Sequence, residues 1–190
     1  MLWTNVAIKG RRVKQQGEGP QLMLLDTIRN FEDHLAKNPD DVTVWVQLSE
    51  AFQSHDMNYH DGGTYQPKAL NAYNRALALN PNDELKKFIY FKMALLYHIM
   101  GRSLDSIDIY DQLLSGFSLT PEEKTAAFYD RGLCLHMLRR NHEARSSLRT
   151  ALVINPNHLP VYKALIDCTK ELAKVSVLYS YYTFVLLLYS

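Results

Sequence analysis

Asn-Pro pairs followed by polar residues recur along the 190-residue chain and constrain its fold more than any other feature. They occur in NPDD from Asn38, NPND from Asn80 and NPNH from Asn155, and a variant, TPEE, starts at Thr120. Their spacing of about forty residues is typical of stacked supersecondary units. Because proline ends one helix and starts the next well, each of these pairs predicts a boundary between two helices.

Two of these boundaries are preceded by small residues that flank a large one at matching distances. The members are Ala69, Tyr73 and Ala76 before Pro81, and Ala144, Leu148 and Ala151 before Pro156. Small residues at this spacing share one helix face and let a neighbouring helix approach closely. A helix with large residues lies upstream of each set: it carries Trp45, Leu48 and Phe52 in one case, and Phe128 and Leu135, with Gly132 between them, in the other. The pattern predicts helical hairpins.

With these residues the chain resembles the tetratricopeptide repeat (TPR) family over roughly residues 20–175. The resemblance implies an all-α, right-handed superhelical solenoid of antiparallel helix pairs, and a noncatalytic scaffold or adaptor that binds other proteins. It places full repeats at 42–83, 87–121 and 125–158, partial repeats at 20–41 and 159–174, and an inserted loop at 54–66.

The two ends depart from the repeat pattern. Residues 1–19 contain four basic residues and one acidic residue, and they are expected to form a basic flexible tail. Residues 175–190, VSVLYSYYTFVLLLYS, carry no charge and lack the small residues expected at 178 and 185. This apolar segment is open to three interpretations: an irregular closing helix, a segment whose partners lie elsewhere, or a short membrane anchor.

The stretch SHDMNYHDGG, residues 54–63, is the strongest candidate for a metal site. In a helix, His55 and His60 would lie about 140° apart around the axis and would not converge on one ion. The HDGG end is typical of a turn. The stretch is therefore interpreted as an inserted loop, and neither a metal nor a cofactor is expected.

No pattern in the chain indicates catalysis, because it has no nucleophile motif, phosphate-binding glycine loop or metalloprotease motif. The net charge of +1 gives no reason to expect nucleic acid as a partner. Cys134 and Cys168, at equivalent positions of successive repeats, are interpreted as packing residues of a protein from a reducing, cytoplasmic compartment.

The resemblance implies that partners bind in a concave groove formed by the first helix of each repeat. Its central positions in this chain are Phe88, Phe91, Lys92, Leu95, His98, Tyr129, Asp130, Leu133, His136 and Met137. Such a surface suits an amphipathic helix or a peptide with large apolar residues. His98 and His136 are equivalent positions, and their joint titration would make binding pH-dependent.

One class of partner is disfavoured. Family members that bind the acidic C-terminal tails of chaperones use Lys, Asn and Arg at fixed groove positions. Those positions here hold Val46, Glu50, Phe91, Leu95, Ala126 and Asp130. Two alternatives to a free adaptor stay open: an assembly or targeting factor tethered to a membrane by residues 175–190, and the regulatory repeat module of a larger enzyme.

Overall fold

The structure is a computed structural model that describes the backbone of residues 3–59 and 63–188, and the side chains of 19–56, 58, 63–174 and 176. Within these ranges the chain forms eight α-helices and no strand, which confirms the all-α prediction. The helices are α1 (Trp3–Lys37), α2 (Val42–Tyr59), α3 (Gln66–Ala78), α4 (Asp83–Ile99), α5 (Ser103–Gly116), α6 (Pro121–Met137), α7 (Asn141–Ile154) and α8 (Leu159–Leu188).

The chain divides into two compact units, Met1–Ile89 and Tyr90–Ser190. In the first unit α1 packs on α2 and α2 packs on α3. In the second unit α5 packs on α6, α6 on α7 and α7 on α8. In each of these pairs, helices that follow one another along the chain pack together, as the hairpin pattern predicts.

The core of the first unit lies between α2 and α3. Ala69, Tyr73 and Ala76 of α3 are fully buried. The Ser49 hydroxyl of α2 donates to the Ala69 carbonyl at 3.1 Å, and the Gln53 amide donates to the Tyr73 hydroxyl at 2.9 Å. The small residues therefore let the two backbones approach closely, and each polar atom of the contact is satisfied by its neighbour.

The core of the second unit shows why glycine stands at position 132. A Cβ atom there would lie 2.8 Å from both Cγ and Cδ2 of Leu148 and 3.4 Å from the Ala144 carbonyl oxygen. Leu148 is fully buried, so it has little room to retreat. Nearby, the Ser147 hydroxyl of α7 donates to the Phe128 carbonyl of α6 at 2.9 Å. The absence of a side chain at Gly132 therefore lets α6 and α7 approach each other closely.

Helix α6 begins with a complete capping box. The Thr120 hydroxyl accepts from the Glu123 backbone N–H at 3.2 Å, and the Glu123 carboxylate accepts from the Thr120 N–H at 2.8 Å. Pro121 occupies the first turn, where its missing N–H costs no hydrogen bond. The TPEE sequence thus starts a helix, as its place in the repeat predicts.

Helix α8 is longer than α4 and α6, each of which ends in a short connection. Gly101 and Arg139 have positive φ angles, 73° and 61°, in the connections after α4 and α6. The residue 34 positions after Arg139 is Ala173, which is a strong helix former, and α8 continues through it to Leu188. Among the described residues, no helix is long and apolar enough to cross a membrane.

Two segments differ from the sequence predictions. Residues 3–19, expected to be a flexible tail, belong to α1. The inserted loop was predicted to start at residue 54, which is wrong because α2 continues to Tyr59; residues 60–62 lie outside the described part.

Tertiary contacts explain the extra turns of α2. His55 and Asp56 are buried, and the Asp56 carboxylate accepts from the Tyr65 backbone N–H at 3.1 and 3.2 Å. The His55 and Tyr65 rings lie 4.5 Å apart. The His55 and Asp56 side chains therefore pack at the N-terminal end of α3, where Tyr65 is the capping residue. In the described part of the chain, no group of His, Cys, Asp and Glu could hold a metal ion.

Candidate binding face

The predicted groove residues lie on two helices. In the second unit, Phe91, Lys92, Leu95 and His98 are on α4, and Tyr129, Asp130, Leu133, His136 and Met137 are on α6. The tenth residue, Phe88, is on the part of α4 that belongs to the first unit and is 38% exposed. We call Phe91, Lys92, Leu95 and His98, with Tyr129, Asp130 and Leu133, the α4/α6 face.

Tyr110 of α5 connects the two sides of this face. Its ring meets the Phe91 ring edge-on at a centroid distance of 6.4 Å. Its hydroxyl donates to the Asp130 carboxylate at 3.3 Å. Tyr110 is almost completely buried, and burial together with the Asp130 charge raises the pKa of its hydroxyl well above the usual range. It therefore donates this hydrogen bond at any physiological pH.

A second set of contacts joins α4, α5 and α6 beside the first. His98 Nδ1 lies 3.1 Å from Cys134 Sγ, which lies 3.3 Å from the Ser106 hydroxyl. Ser106 in turn donates to the Ala94 carbonyl at 2.8 Å. Burial raises the pKa of the Cys134 thiol, so it stays protonated. Both cysteines are free and buried, in agreement with the packing role inferred for them.

The face extends from α6 towards the start of α8. The Tyr129 ring lies 5.4 Å from the ring of His158, the residue that precedes α8. Burial, followed by the charge of Asp130, raises the pKa of the Tyr129 hydroxyl. Tyr129 is half-buried, so part of its ring is available to a ligand.

Asp130 lies among these groups with little compensation for its charge. Burial raises its pKa above the usual range, while the Tyr110 hydrogen bond, His98 and His158 act in the opposite direction. Among the described residues no Lys or Arg is within ion-pair distance of it, and Tyr110 is its single side-chain hydrogen-bond partner. The result is a half-buried carboxylate with unused acceptor capacity.

Two of the predicted residues, His136 and Met137, contact the first residues of other helices and not Asp130. His136 Nδ1 lies 2.7 Å from the Asn141 side-chain oxygen, at the start of α7. The Met137 sulfur lies 4.0 Å from the Ser103 hydroxyl, at the start of α5. The joint titration of His98 and His136 stays a prediction, since the two side chains have different partners.

Sequence reasoning did not single out Tyr110, Ser106 or His158 as part of the site. Tyr110 occupies the large position of its repeat, which Leu148 occupies in the next repeat. The Tyr110 hydroxyl, a polar group at a position expected to be buried, is the feature of the sequence that could have indicated a role in the site. His158 follows the last Asn-Pro pair directly. Their contribution depends on contacts between helices, which a linear pattern does not show.

A cavity of 610 Å³ also opens on the second unit, away from the predicted residues. Side chains of α5, α6 and α7 line it, among them Leu114, Phe128 and Thr150. Two of its lining residues form an ion pair, in which the Arg131 guanidinium donates to the Asp111 carboxylate at 2.7 Å.

No protein-family model matches the chain, and a search of curated proteins gives no match. Solved structures do match. MamA 41-end from Desulfovibrio magneticus RS-1 is 13% identical with a TM-score of 0.63, covering 97% of this chain and 92% of that one. YrrB, described as a TPR protein with an unusual peptide-binding site, is 19% identical with a TM-score of 0.53 and coverages of 73% and 63%. TTC0263, a thermophilic TPR protein of Thermus thermophilus, is 21% identical with a TM-score of 0.55 and coverages of 78% and 76%. At these identities the likeness concerns the fold alone.

Proposed function

The chain has the tetratricopeptide repeat fold, and from this premise we propose that it is a noncatalytic scaffold or adaptor. Its ligand is a peptide segment or an amphipathic helix of a partner protein, and its binding surface is the α4/α6 face. Among proteins of this fold, YrrB is described as having a peptide-binding site, which is consistent with such a role.

The observation that supports this proposal most is the chain of contacts from Phe91 through Tyr110 to Asp130. It holds side chains of α4 and α6 in fixed positions relative to each other. A binding surface built on rigid helices loses little conformational entropy when a ligand binds, which favours affinity. The contacts therefore provide a preorganised surface.

The chemistry of the face suits a ligand that is partly apolar. Leu95 is 44% exposed. Because removing a large aliphatic side chain from water is favourable, contact between Leu95 and a ligand would stabilise the complex. Half-buried Tyr129 offers an aromatic surface with a polar end. Aromatic and aliphatic side chains of this kind provide much of the energy of peptide recognition.

The proposal places the protein in the cytoplasm. Cys134 and Cys168 are both free, and burial raises the pKa of each thiol. Unpaired thiols are typical of reducing compartments.

Site-specific photo-crosslinking in cells tests the proposal. A photoreactive residue replaces Leu95 on the face, and in the control it replaces Leu104 of α5, which is 59% exposed and lies outside the face. We expect one dominant adduct from position 95 that is absent from position 104. A catalytic protein as that adduct would identify the chain as a regulatory module of an enzyme.

Two results would contradict the proposal. If position 95 formed adducts with other copies of this chain alone, the face would be a self-assembly surface. If both positions formed the same adducts, the contact would not depend on the face.

A further inference from the structure

We propose that Asp130 binds a positively charged side chain, Lys or Arg, of the segment that occupies the α4/α6 face. This inference rests on the proposed function and specifies the chemistry of the ligand. A neutral or acidic segment would leave the Asp130 carboxylate without a partner of opposite charge.

The first argument comes from a comparison of Asp130 with three other carboxylates of the second unit that are paired with arginine. Asp105, Asp111 and Glu143 are exposed or half-buried, and each accepts from an arginine at 2.6 to 2.9 Å. Asp130 is half-buried and has no such partner among the described residues. Its single side-chain hydrogen bond, from Tyr110, is long at 3.3 Å.

The second argument is energetic. Taking a carboxylate out of water is costly unless hydrogen bonds or an opposite charge compensate for it. An ionised carboxylate has about four acceptor positions, and Tyr110 occupies one of them. An arginine from a ligand could fill two more with parallel N–H donors, which is the strongest pairing a carboxylate finds in proteins.

The third argument comes from the groups beside Asp130. Tyr129 precedes it on α6, and the electron-rich face of a tyrosine ring attracts cations. Leu95 on the same face is 44% exposed and can contact an apolar residue of the ligand. The expected ligand therefore has a basic residue close to a large apolar one. An acidic tail is unfavourable here because it would meet a like charge.

A peptide-selection experiment with the full chain tests the inference. A display library of random twelve-residue peptides is selected on the wild-type protein, and enriched peptides are synthesised with Arg or with its neutral isostere citrulline, or with Lys or acetyl-lysine. Affinities are measured on wild type, on Asp130→Asn, and on Asp108→Asn, which removes an exposed carboxylate of α5 outside the face.

We expect enriched peptides to share one basic residue. Neutralising that residue should weaken binding to wild type and to Asp108→Asn at least about tenfold, but to Asp130→Asn less than about threefold, because the partner charge is already gone. Asn retains the shape of Asp and can accept from Tyr110, so Asp130→Asn is expected to fold.

The inference and the proposed function fail in different ways. Peptides that lose affinity with Leu95→Ala, but not with Asp130→Asn or citrulline, would overturn the charge pairing and leave peptide binding intact. If neither Leu95→Ala nor Asp130→Asn affected any enriched peptide, both the pairing and the proposed binding face would be wrong.

Discussion

At the scale of single residues, Asp130 is placed where its charge is poorly solvated. Burial raises the pKa of Asp130. The hydrogen bond from Tyr110 and the proximity of His98 and His158 lower this pKa and offset part of the effect. Residues that bind ligands often reduce the stability of the free protein, because the groups that a ligand needs are not satisfied in its absence. The ligand-binding role proposed for Asp130 is consistent with this general behaviour.

Replacing Asp130 with Asn should therefore leave the protein equally stable or more stable at pH 7. Since the folded-state pKa of Asp130 is raised, the unfolded chain ionises first as pH rises, and stability falls between the two pKa values. The advantage of the Asn variant should be present at neutral pH and disappear below about pH 4, the ordinary value for aspartate.

Urea unfolding of both proteins at pH 7 and at pH 3.5 checks this prediction. The titratable neighbours of Asp130 are His98 from α4, Tyr110 from α5, His158 before α8, and Tyr129 and Cys134 on α6 itself, and they are the same in both proteins. A large loss of stability in Asp130→Asn at pH 7 would show that the carboxylate has a structural role.

Gly132 gives a second prediction for a single residue. In Gly132→Ala the new methyl group would lie 2.8 Å from Leu148, so α6 and α7 must separate slightly. We expect about 1–3 kcal/mol of strain, reduced by up to about 1 kcal/mol because alanine favours a helix. Thermal unfolding measures the net loss of stability.

The double variant Gly132→Ala/Leu148→Ala is the control for this explanation. Leu148→Ala alone should cost about 2–5 kcal/mol because it leaves a cavity in a fully buried site. Since the methyl at 132 then fills part of that cavity, the two changes should together cost less than their sum. If the two losses of unfolding free energy were additive, the methyl group at position 132 would not clash with Leu148.

At the scale of elements, some helix boundaries are set by local chemistry. Thr120 caps the start of α6 through reciprocal hydrogen bonds with Glu123, and Gly101, in the turn after α4, has a positive φ angle. Both signals lie within a few residues of the boundary. For that reason the TPEE sequence indicated the start of α6, whereas α2 extends beyond its predicted end.

Thr120→Ala should destabilise the second unit by about 1 kcal/mol, because the Glu123 backbone N–H loses its acceptor. The matched variant Thr120→Ser keeps the hydroxyl and should change stability by less. Chemical unfolding of the three proteins compares them. If Ala and Ser variants were equally stable, the cap would contribute nothing measurable.

At the scale of the whole molecule, the two units have separate cores. Tyr73 is buried in the first and Leu148 in the second. In repeat proteins the stability of each unit depends on its own packing and on its immediate neighbours. Damage to one core should therefore be felt most strongly close to it.

Leu148→Ala tests this expectation by hydrogen exchange. Amide protection should fall in α6 and α7, which pack around the site, and much less in α2 and α3. Tyr73→Ala is the reciprocal variant and should affect α2 and α3 first. If both variants reduced protection equally everywhere, the chain would unfold as one cooperative unit.

The sequence by itself determined the helix pairs, because the signals for them are local and periodic. Asn-Pro boundaries and small residues at helical spacing each act over a few residues. Only the tertiary structure decided that α2 continues through the buried His55 and Asp56, since burial depends on Tyr65 at the base of another helix. The environment of Asp130 was decided in the same way. Desolvation and charge at one carboxylate depend on side chains from several helices, and their convergence is a property of packing that no linear pattern contains.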